Sequence, residues 1–449
     1  MNTFIQGKLS TTIWHISWPM MLIMLFNFAV GFTDIYVAGL IGAEVQAAVG
    51  FVSQLYFLLI IIANAISTGS IALVSRNIGA ANVAQAISNA KQSLIFGLFC
   101  AIGLSATGLI FYREIIAISG FPAPIRATAE TFLRIFACAL GPNYLLIISN
   151  GIFRASGEVK KPLLTMFTVS TINVIGDFVL VFGFFSFPRM GYAGIALATA
   201  VSVSVGMAIN LFLLSSHRWK HLYKRPWSIV FPTMRQILAL GWPAALLQIA
   251  WNAGSIVLYN FLGRLGEASI SALAAITNGL RIEAIIFLPA FALNMAASVL
   301  VGQNLGAGNP DRAAQLGWRT ALMGVTVLTI LAGVIFSWAE ECAALLTQDP
   351  AVRAETTRYL KINMFSEPFM ALSLTLGGGL QGAGDTKGTM NVIITGMWIV
   401  RLPLAYLFAF VLGYGARGVW IAMLVSMAVQ GVLMALRFYK GDWKTIRLN

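Results

Sequence analysis

The chain has 449 residues, of which 58% are hydrophobic and only 10% are charged, and its mean hydropathy is +0.82. Soluble domains carry about 25% charged residues, so this composition excludes a water-soluble protein and fits one surrounded by lipid. The formal net charge of +13 would suggest nucleic-acid binding in a soluble protein, but here the basic residues lie mainly in short loops between apolar segments.

Apolar segments recur along the whole chain, and each is long enough to cross a bilayer as a helix. A transmembrane helix needs about 20 mostly apolar residues. The connecting loops are too short to form a soluble domain, so the sequence predicts an all-α polytopic membrane protein with twelve transmembrane helices. The predicted spans, in chain order, are residues 13–38, 46–73, 91–112, 130–153, 162–186, 192–215, 236–261, 270–300, 315–338, 358–381, 388–412 and 418–437.

The distribution of Lys and Arg predicts the orientation of these spans. With the N-terminus in the cytoplasm, the cytoplasmic segments hold roughly twice as many Lys and Arg residues as the opposite side. The densest basic segment is residues 217–235, which includes Arg218, Lys220, Lys224 and Arg225. The positive-inside rule therefore predicts a multi-pass protein of the inner (cytoplasmic) membrane, with both termini cytoplasmic and no nucleic-acid partner.

Two motifs occur once in each half of the chain. Residues 73–82 read Leu-Val-Ser-Arg-Asn-Ile-Gly-Ala-Ala-Asn, and residues 300–309 repeat most of this motif 227 positions later. The Trp-Pro dipeptide at 18–19 recurs at 242–243, 224 positions later. The repeat predicts two pseudo-symmetric six-helix lobes joined by a basic cytoplasmic linker. The predicted boundaries are residues 1–216 for the N-terminal lobe, 217–235 for the linker and 236–449 for the C-terminal lobe.

Two acidic residues lie in apolar spans of the first half. A charged side chain near the bilayer centre costs at least about 2.5 kcal/mol, so each needs a partner or a function. Asp34 follows a long apolar run, with Asn27 two turns earlier on the same helix face. Asp177 lies deep in span 5, with Asn173 one turn earlier on the same face. This pattern predicts binding of a proton or a small cation; the alternatives are an interfacial Asp34 and a structural hydrogen-bonded pair in span 5.

Three further polar residues in neighbouring spans are candidates to complete a polar cluster with these aspartates. They are Asn64 in span 2, Asn150 in span 4 and Thr199 in span 6. Burial favours the protonated form of a carboxyl group, so two adjacent buried aspartates can exchange protons near neutral pH. Carboxylate, amide and hydroxyl oxygens are also the hard ligands that Na⁺ accepts. The residues alone leave both ions open.

The second half does not repeat these acids. Leu258 and Arg401 occupy the positions 224 residues after Asp34 and Asp177. Arg401, two residues before Pro403, is predicted to pack between helices or to end a span.

The remaining acids in predicted spans are Glu283 and Glu367. Glu283 follows Arg281 by two residues, so the two side chains lie on different helix faces and need not pair. One interpretation gives Glu283 a structural or interfacial role. The other places it in a cation or substrate site. Glu367 precedes Pro368 and is predicted near the outer end of span 10, with a buried role as the alternative.

Span 1 also contains Pro19, fifteen residues before Asp34. Proline within a helix frees a carbonyl group and permits a bend. Protonation of Asp34 would alter that bend and so couple the ion to the conformation, whereas the alternative is a static kink.

No enzyme signature is present in the sequence. It contains no HExxH motif and no Walker lysine motif, and the glycine-rich segment at 377–384 follows a helix rather than a strand. The sequence therefore predicts no catalytic residues, no metal centre and no cofactor other than H⁺ or Na⁺ as a coupling ion.

Taken together, these features resemble the multidrug and toxic compound extrusion (MATE) family over essentially the whole chain. The matching positions are Trp18-Pro19, Asp34, Ser149-Asn150-Gly151, Arg154, Gly157, residues 160–162, Asn173, Asp177 and residues 300–309. The resemblance implies two six-helix bundles that export cationic and amphipathic drugs in exchange for H⁺ or Na⁺.

Within that family, the chain is similar to the prokaryotic DinF-like branch, whose coupling residues are concentrated in the N-terminal lobe. The NorM-like branch places acidic cation ligands in spans 7 and 10, where this chain reads Gln-Ile-Ala-Trp-Asn at 248–252 and Leu-Ser-Leu-Thr at 372–375. The residues that match the DinF-like pattern are Asp34, Asn173 and Asp177, followed by Asn27, Asn150 and Thr199.

The resemblance implies a monomeric antiporter that exports hydrophobic and cationic drugs or toxic compounds by alternating access. H⁺ is the expected coupling ion, and Na⁺ bound by Asp34, Asn173, Asp177 and Thr199 is the alternative. A flippase or an exporter of a lipid-linked or metabolite substrate is a second possibility on the same fold. An intramembrane enzyme that uses the buried carboxylates is the alternative from another class.

Overall fold

The computed structural model describes residues 3–118, 123–224 and 228–448, and all regular secondary structure in these ranges is helical. Eleven of the described helical segments are long and apolar enough to cross a membrane. The prediction of an all-α polytopic membrane protein is therefore confirmed.

Helices α1 to α9 precede the second repeat. They are α1 (Thr3–Gln6), α2 (Leu9–Ile41), α3 (Ala43–Gly79), α4 (Val83–Ile110), α5 (Tyr112–Ile118), α6 (Ala123–Ala155), α7 (Lys160–Phe182), α8 (Tyr192–Leu213) and α9 (His221–Lys224). Short 3-10 turns at Phe184–Ser186 and His217–Trp219 flank α8.

Helices α10 to α18 form the remainder of the chain. They are α10 (Phe231–Gly263), α11 (Ser269–Gly306), α12 (Pro310–Ser337), α13 (Ala339–Leu346), α14 (Pro350–Asn363), α15 (Glu367–Ala383), α16 (Thr386–Ile394), α17 (Leu402–Tyr406) and α18 (Gly415–Lys440). The wide turns of π-helix cover Thr395–Arg401 and Leu407–Val411, on either side of α17.

The predicted tenth span, 358–381, is not one uninterrupted α-helix. It is divided between α14 and α15 by a 3-10 turn at Met364–Ser366, and neither α14, with 14 residues, nor α15, with 17, reaches the usual length of a span. Pro368 lies in the first turn of α15, where the missing N–H costs no intrahelical hydrogen bond. Eleven uninterrupted candidate spans and one broken span thus account for the twelve predicted.

Contacts between residues divide the chain into two compact units. The N-terminal unit is Leu22–Trp242, and the C-terminal unit consists of the chain up to Met21 together with the chain from Pro243 onward. The dividing points therefore fall inside α2 and α10, beside the two Trp-Pro dipeptides. They differ from the predicted boundaries at 216 and 236, and part of the predicted linker, residues 225–227, lies outside the described residues.

Side-chain contacts explain these dividing points. In the C-terminal unit, Asn304 donates from its amide nitrogen to the carbonyl of Phe4 at 3.2 Å, and Arg312 donates to the carbonyl of Gly7. In the N-terminal unit, the side chain of Gln92 binds the residues just before α10. It donates to the carbonyl of Ser228 at 2.8 Å and accepts from the Val230 N–H at 2.9 Å. Each repeat therefore holds the entry to the other repeat's first long helix.

Glycines allow the central helices of each unit to approach closely. A Cβ atom on Gly151 of α6 would lie 2.3 Å from Oγ of Ser67 on α3. In the C-terminal unit, a Cβ atom on Gly378 of α15 would lie 2.1 Å from the carbonyl oxygen of Asn294 on α11. These two contacts occupy equivalent positions of the repeat, 227 residues apart. The repeat thus preserves a packing contact, which explains why glycine stands at both positions.

Candidate functional site

The N-terminal unit brings three helices together around two acidic side chains. Asp34 lies on α2 and is half-buried, while Asn173 and Asp177 on α7 and Thr199 on α8 are buried. Helices α7 and α8 approach closely beside this site, because a Cβ atom on Gly176 would lie only 3.1 Å from Cβ of Ala198. The small residues adjacent to Asp177 and Thr199 in sequence therefore place the two polar side chains near each other.

Three hydrogen bonds connect the helices at this site. The amide nitrogen of Asn173 donates to Oδ1 of Asp34 at 3.3 Å and to Oγ1 of Thr199 at 3.1 Å. The hydroxyl of Thr199 donates to Oδ2 of Asp34 at 3.3 Å. Both carboxylate oxygens of Asp34 thus have a donor, from α7 and from α8 respectively.

Asp177 differs from Asp34 in its surroundings. Neither of its carboxylate oxygens has a hydrogen-bond donor among the described residues, and both are buried, as is the unpartnered Oδ1 of Asn173. The Asp177 carboxyl instead lies within hydrogen-bonding reach of the Asp34 carboxyl. Ionised carboxylates only accept hydrogen bonds, so Asp34 and Asp177, here called the aspartate pair, can bond to each other only when one holds a proton.

The aspartate pair has no basic counterpart in the part of the chain that the structure describes, since none of the six ion pairs there includes Asp34 or Asp177. Two ionised carboxylates this close would repel, and burial strengthens that repulsion. The arrangement is chemically suited to one shared proton. A small cation is the other species it suits, because the buried oxygens of Asp177 and Asn173 that lack a donor among the described residues are ligands that a hard cation accepts.

Asn150, a predicted member of the polar cluster, belongs to a separate network on α6, α7 and α8. Asn210 donates to Oδ1 of Asn150 and to Oγ of Ser149, each at 2.8 Å, and accepts from the hydroxyl of Thr165 at 2.7 Å. Asn210 is fully buried. It was not among the residues predicted from the sequence, although a lone asparagine near the end of an apolar span was a usable signal.

The other predicted polar residues of the first half are not hydrogen-bonded to the aspartate pair within the described ranges. Asn27 is exposed and donates to the carbonyl of Ile23 on its own helix at 2.9 Å. Asn64 is half-buried on α3, and its carbonyl accepts from the hydroxyl of Thr68. Pro19 lies within α2, which continues as a helix on both sides of it.

In the C-terminal unit, Glu283 and Arg401 are both buried, whereas Arg281 is exposed. Arg401 ends the first π-helical segment, and its Nε donates to the hydroxyl of Ser426 on α18 at 2.7 Å. Glu367 at the start of α15 is buried as well, so of its two expected positions the structure shows the buried one. These residues belong to a buried group of charges that the sequence did not reveal as a group.

Comparison with known proteins gives a family match over most of the chain. The model of the MatE family matches residues 19–179 and 243–407, one segment in each half. The "uncharacterized transporter YisQ" of Bacillus subtilis is 24% identical over 435 residues, covering 96% of this chain and 94% of that protein. A "probable multidrug resistance protein NorM" of Thermotoga maritima is 26% identical over 417 residues, covering 92% and 89% of the two chains. Another protein of that name, from Bradyrhizobium diazoefficiens, is 28% identical over 432 residues, covering 94% and 91%.

Solved structures share the fold along nearly the whole chain. An outward-facing multidrug resistance MATE family transporter of the MOP superfamily superposes with a TM-score of 0.88 at 20% identity, covering 98% of each chain. A MOP superfamily transporter from Pyrococcus furiosus gives a TM-score of 0.87, also at 20% identity, covering 98% of this chain and 97% of the other. At this level of identity the likeness concerns the fold alone.

Proposed function

Because the chain belongs to the MatE family of membrane transporters, we propose that it is an H⁺-coupled antiporter that exports hydrophobic and cationic compounds. The names of its relatives, which include multidrug resistance proteins, support this substrate class. The observation that carries the choice of ion is the aspartate pair, in which the buried carboxyl of Asp177 has no donor among the described residues and lies within hydrogen-bonding reach of the Asp34 carboxyl.

The aspartate pair has two charge states with different structural consequences. With one proton bound, the two carboxyl groups share a hydrogen bond, which holds α2 beside α7. When that proton leaves, two adjacent carboxylates repel, by about 4 kcal/mol for charges 4 Å apart at an intermediate protein dielectric. The repulsion is relieved by separation of α2 from α7 or by a cationic substrate. Proton binding and release therefore favour different positions of α2, as alternating access requires.

Pro19 gives α2 a place to bend in response. Its ring nitrogen has no N–H, so the carbonyl of His15 lacks the usual partner one turn later. A helix with one missing hydrogen bond costs less to bend at that turn than an uninterrupted one. Pro19 lies next to the point at which α2 passes from one unit into the other, which makes it the hinge of the proposed cycle.

Na⁺ coupling at the same residues is the second candidate. Its support is three buried oxygens that lack a hydrogen-bond partner among the described residues, two on Asp177 and one on Asn173, the residue whose amide nitrogen bonds Asp34 and Thr199. These are the oxygen ligands that a hard cation prefers. A flippase or metabolite exporter on the same fold differs from this proposal in substrate rather than in the ion site. The intramembrane enzyme is discarded, because the family consists of transporters.

We further propose that the transporter acts as a monomer in the cytoplasmic membrane with both termini in the cytoplasm. The support for this orientation is the excess of Lys and Arg in the loops assigned to that side, including the described linker residues Arg218 and Lys220. Tags fused to either terminus test the orientation directly. The measured quantity is their fluorescence quenching or their accessibility to protease in intact cells.

The experiment that tests the function is efflux from proteoliposomes with separately imposed pH and Na⁺ gradients. A fluorescent aromatic cation such as ethidium is the substrate. We expect transport driven by the pH gradient alone in the wild-type protein and loss of transport in Asp34→Asn and in Asp177→Asn. Transport driven only by Na⁺ would select the second candidate, and wild-type rates in both variants would exclude coupling at the aspartate pair.

A matched control keeps the test specific. Asp311→Asn makes the same chemical change at an exposed carboxylate that pairs with Lys444 at 3.0 Å. We expect this variant to transport like the wild type. Equal amounts of monodisperse protein for all variants show that the aspartate substitutions act on coupling and not on folding.

A further inference from the structure

The C-terminal unit contains a second group of buried ionisable side chains. Glu283 on α11, Tyr359 on α14, Glu367 on α15 and Arg401 at the end of a π-helical segment are each exposed by 5% or less. We call these four residues the glutamate cluster. They come from four separate segments of the chain, so the fold and not local sequence assembles them.

The cluster combines one cation with two carboxyl groups. Tyr359 on α14 packs against α11 one turn before Glu283, since a Cβ atom on Gly279 would lie 2.2 Å from the Tyr359 ring. The guanidinium of Arg401 is within electrostatic range of the Glu283 carboxyl, although none of the six ion pairs among the described residues joins the two. That guanidinium is also held by the hydroxyl of Ser426 at 2.7 Å and lies 5.0 Å from the centre of the Trp251 ring. Glu367 lies near Glu283, because α11 and α15 pack with Asn294 against Gly378 and Ser298 against Gly382, pairs that are 84 residues apart in sequence, as Glu283 and Glu367 are. The buried Oε2 of Glu367 has no hydrogen-bond partner among the described residues.

Neighbouring charged side chains do not change the balance of one cation and two carboxyl groups in the cluster. The helices packed against α15 carry charged side chains that are exposed, paired or close to a helix end. Arg281 on α11 and Arg417 on α18 are exposed, and Glu355 on α14 pairs with Arg358 and accepts from the indole of Trp420. The remaining charged residues on α12, α16 and α18 are Asp311, Arg312, Arg319, Lys387, Arg437 and Lys440, all within the first or last ten residues of their helices.

The charges of the cluster balance only when one carboxyl group is neutral. A guanidinium stays protonated in proteins, and a tyrosine hydroxyl is neutral near neutral pH. Arg401 therefore compensates one carboxylate, and a second carboxylate at this depth would be an uncompensated buried charge. With one bound proton the cluster is neutral, and release of that proton gives it one negative charge.

We propose that the glutamate cluster is a second ion-binding site, specific for a proton, which the Glu283 and Glu367 carboxyl groups hold. Arg401 explains the specificity. The guanidinium would repel a metal cation. It does not repel a bound proton, because a protonated carboxyl group is neutral. The aspartate pair, which has no such cation, does not discriminate in this way.

The repeat shows how the two sites differ. Arg401 stands 224 residues after Asp177, at the equivalent position of the second repeat. In the first unit the proton lies between two carboxyl groups alone, and in the second a fixed cation neutralises one of them. If the proposed H⁺ coupling is correct, a second exchangeable proton increases the free energy that one transport cycle draws from a given pH gradient.

The test is an infrared pH titration of the purified protein in lipid nanodiscs, read at the carbonyl band of protonated carboxylic acids. The parent protein carries Asp34→Asn and Asp177→Asn, so that the aspartate pair gives no signal. We expect the parent to show an acid band that persists above about pH 6, where exposed Asp and Glu are ionised, and we expect this band to be lost in Glu367→Gln. We also expect its loss in Glu283→Gln, because Arg401 then ionises the one remaining carboxyl group. Glu340→Gln, which replaces an exposed carboxylate paired with Arg353, leaves the band unchanged.

Arg401→Gln gives the opposite result. Without the guanidinium both carboxyl groups bind protons, so the acid band roughly doubles relative to the parent. An absent band in the parent, a band that persists in either glutamate variant, or an unchanged band in Arg401→Gln would overturn the proposal. Should Arg401→Gln fail to fold, the two glutamate variants decide the matter alone. No transport is measured, so this result is independent of the ion used by the aspartate pair.

Discussion

Thr199 donates a hydrogen bond of 3.3 Å to Oδ2 of Asp34 while its own oxygen accepts one of 3.1 Å from Asn173. One hydroxyl on α8 thus links the acidic residue of α2 to the amide of α7. Because it acts as donor and acceptor at once, it fixes the orientation of both neighbours. This position makes Thr199 the residue through which the geometry of the aspartate pair can be tested without changing its charge.

We expect Thr199→Val, which keeps the shape of the side chain and removes the hydroxyl, to lower the rate of pH-driven efflux about tenfold or more. A hydrogen bond to a charged group contributes about 1.5–3 kcal/mol, and each 1.4 kcal/mol corresponds to a factor of ten. Thr199→Ser restores the hydroxyl and should recover most of the rate. The control is Thr168→Val on α7, whose exposed hydroxyl bonds only the carbonyl of Leu164 on its own helix. Equal rates in Thr199→Val and Thr168→Val would contradict the proposed role.

Gly378→Ala tests the contact between α15 and α11. The added Cβ would lie 2.1 Å from the carbonyl oxygen of Asn294, so the backbone of one helix has to move. Overpacking of this kind costs about 1–3 kcal/mol, and we expect a lower midpoint of thermal unfolding in detergent. Gly333→Ala is the matched control, because Gly333 lies within α12, one turn before its end, with no atom within 4 Å of its added Cβ. Alanine favours helix there, so a drop in Gly333→Ala as large as in Gly378→Ala would refute the steric explanation.

Asn210→Leu tests the buried network beside α6. The substitution removes the donor to Asn150 and to Ser149 and the acceptor for Thr165. An unsatisfied buried polar group costs about 1–3 kcal/mol, so we expect a loss of stability within or above this range. A double-mutant cycle with Asn150→Ala supplies the check. Asn150→Ala should cost less in the Asn210→Leu protein than in the wild type, and additive effects would show that the two amides do not depend on each other.

Asp385 has two structural roles that two substitutions separate. Its carboxylate accepts from the backbone N–H of Gly388, which caps α16, and forms a two-pronged ion pair with Arg437 at 2.7 and 2.9 Å. Asp385→Asn retains the cap and loses the charge, whereas Asp385→Ala loses both. Arg437 is substantially exposed, so the ion pair contributes less than about 1 kcal/mol, and the cap contributes about 1 kcal/mol. We therefore expect Asp385→Ala to unfold at a lower temperature than Asp385→Asn; the reverse order would contradict the capping role.

The apolar runs were sufficient to predict the helical class and the positions of the spans, because bilayer thickness fixes helix length. The grouping of Asn173 with Asp177 was predictable as well, since residues four apart share a helix face. The association of Asp34 and Thr199 with them was a hypothesis that the structure supports by three hydrogen bonds. Asn150 was grouped with them on the same reasoning, but its network with Asn210 depends on how three helices pack.

The glutamate cluster was beyond the reach of one sequence. Glu283 and Arg401 are 118 residues apart, and Tyr359 carried no signal because tyrosine is common in transmembrane helices. Only the packing of α11, α14, α15 and the π-helical segment shows that their side chains converge. Likewise, the 3-10 break before Glu367 was not predicted, although Pro368 marks the place and the polar helix α14 before it differs in composition from the apolar α15 after it.

The unit boundaries beside the two Trp-Pro dipeptides also bear on whether the chain can be produced as two separate fragments. A chain cut in the linker gives a first fragment that lacks residues 228–242 and a second that lacks residues 3–21, yet those are the segments that Gln92 and Asn304 bind in the intact protein. Each fragment would carry an unfilled docking position for a piece of the other. The two halves would therefore be stable only when produced together in one cell.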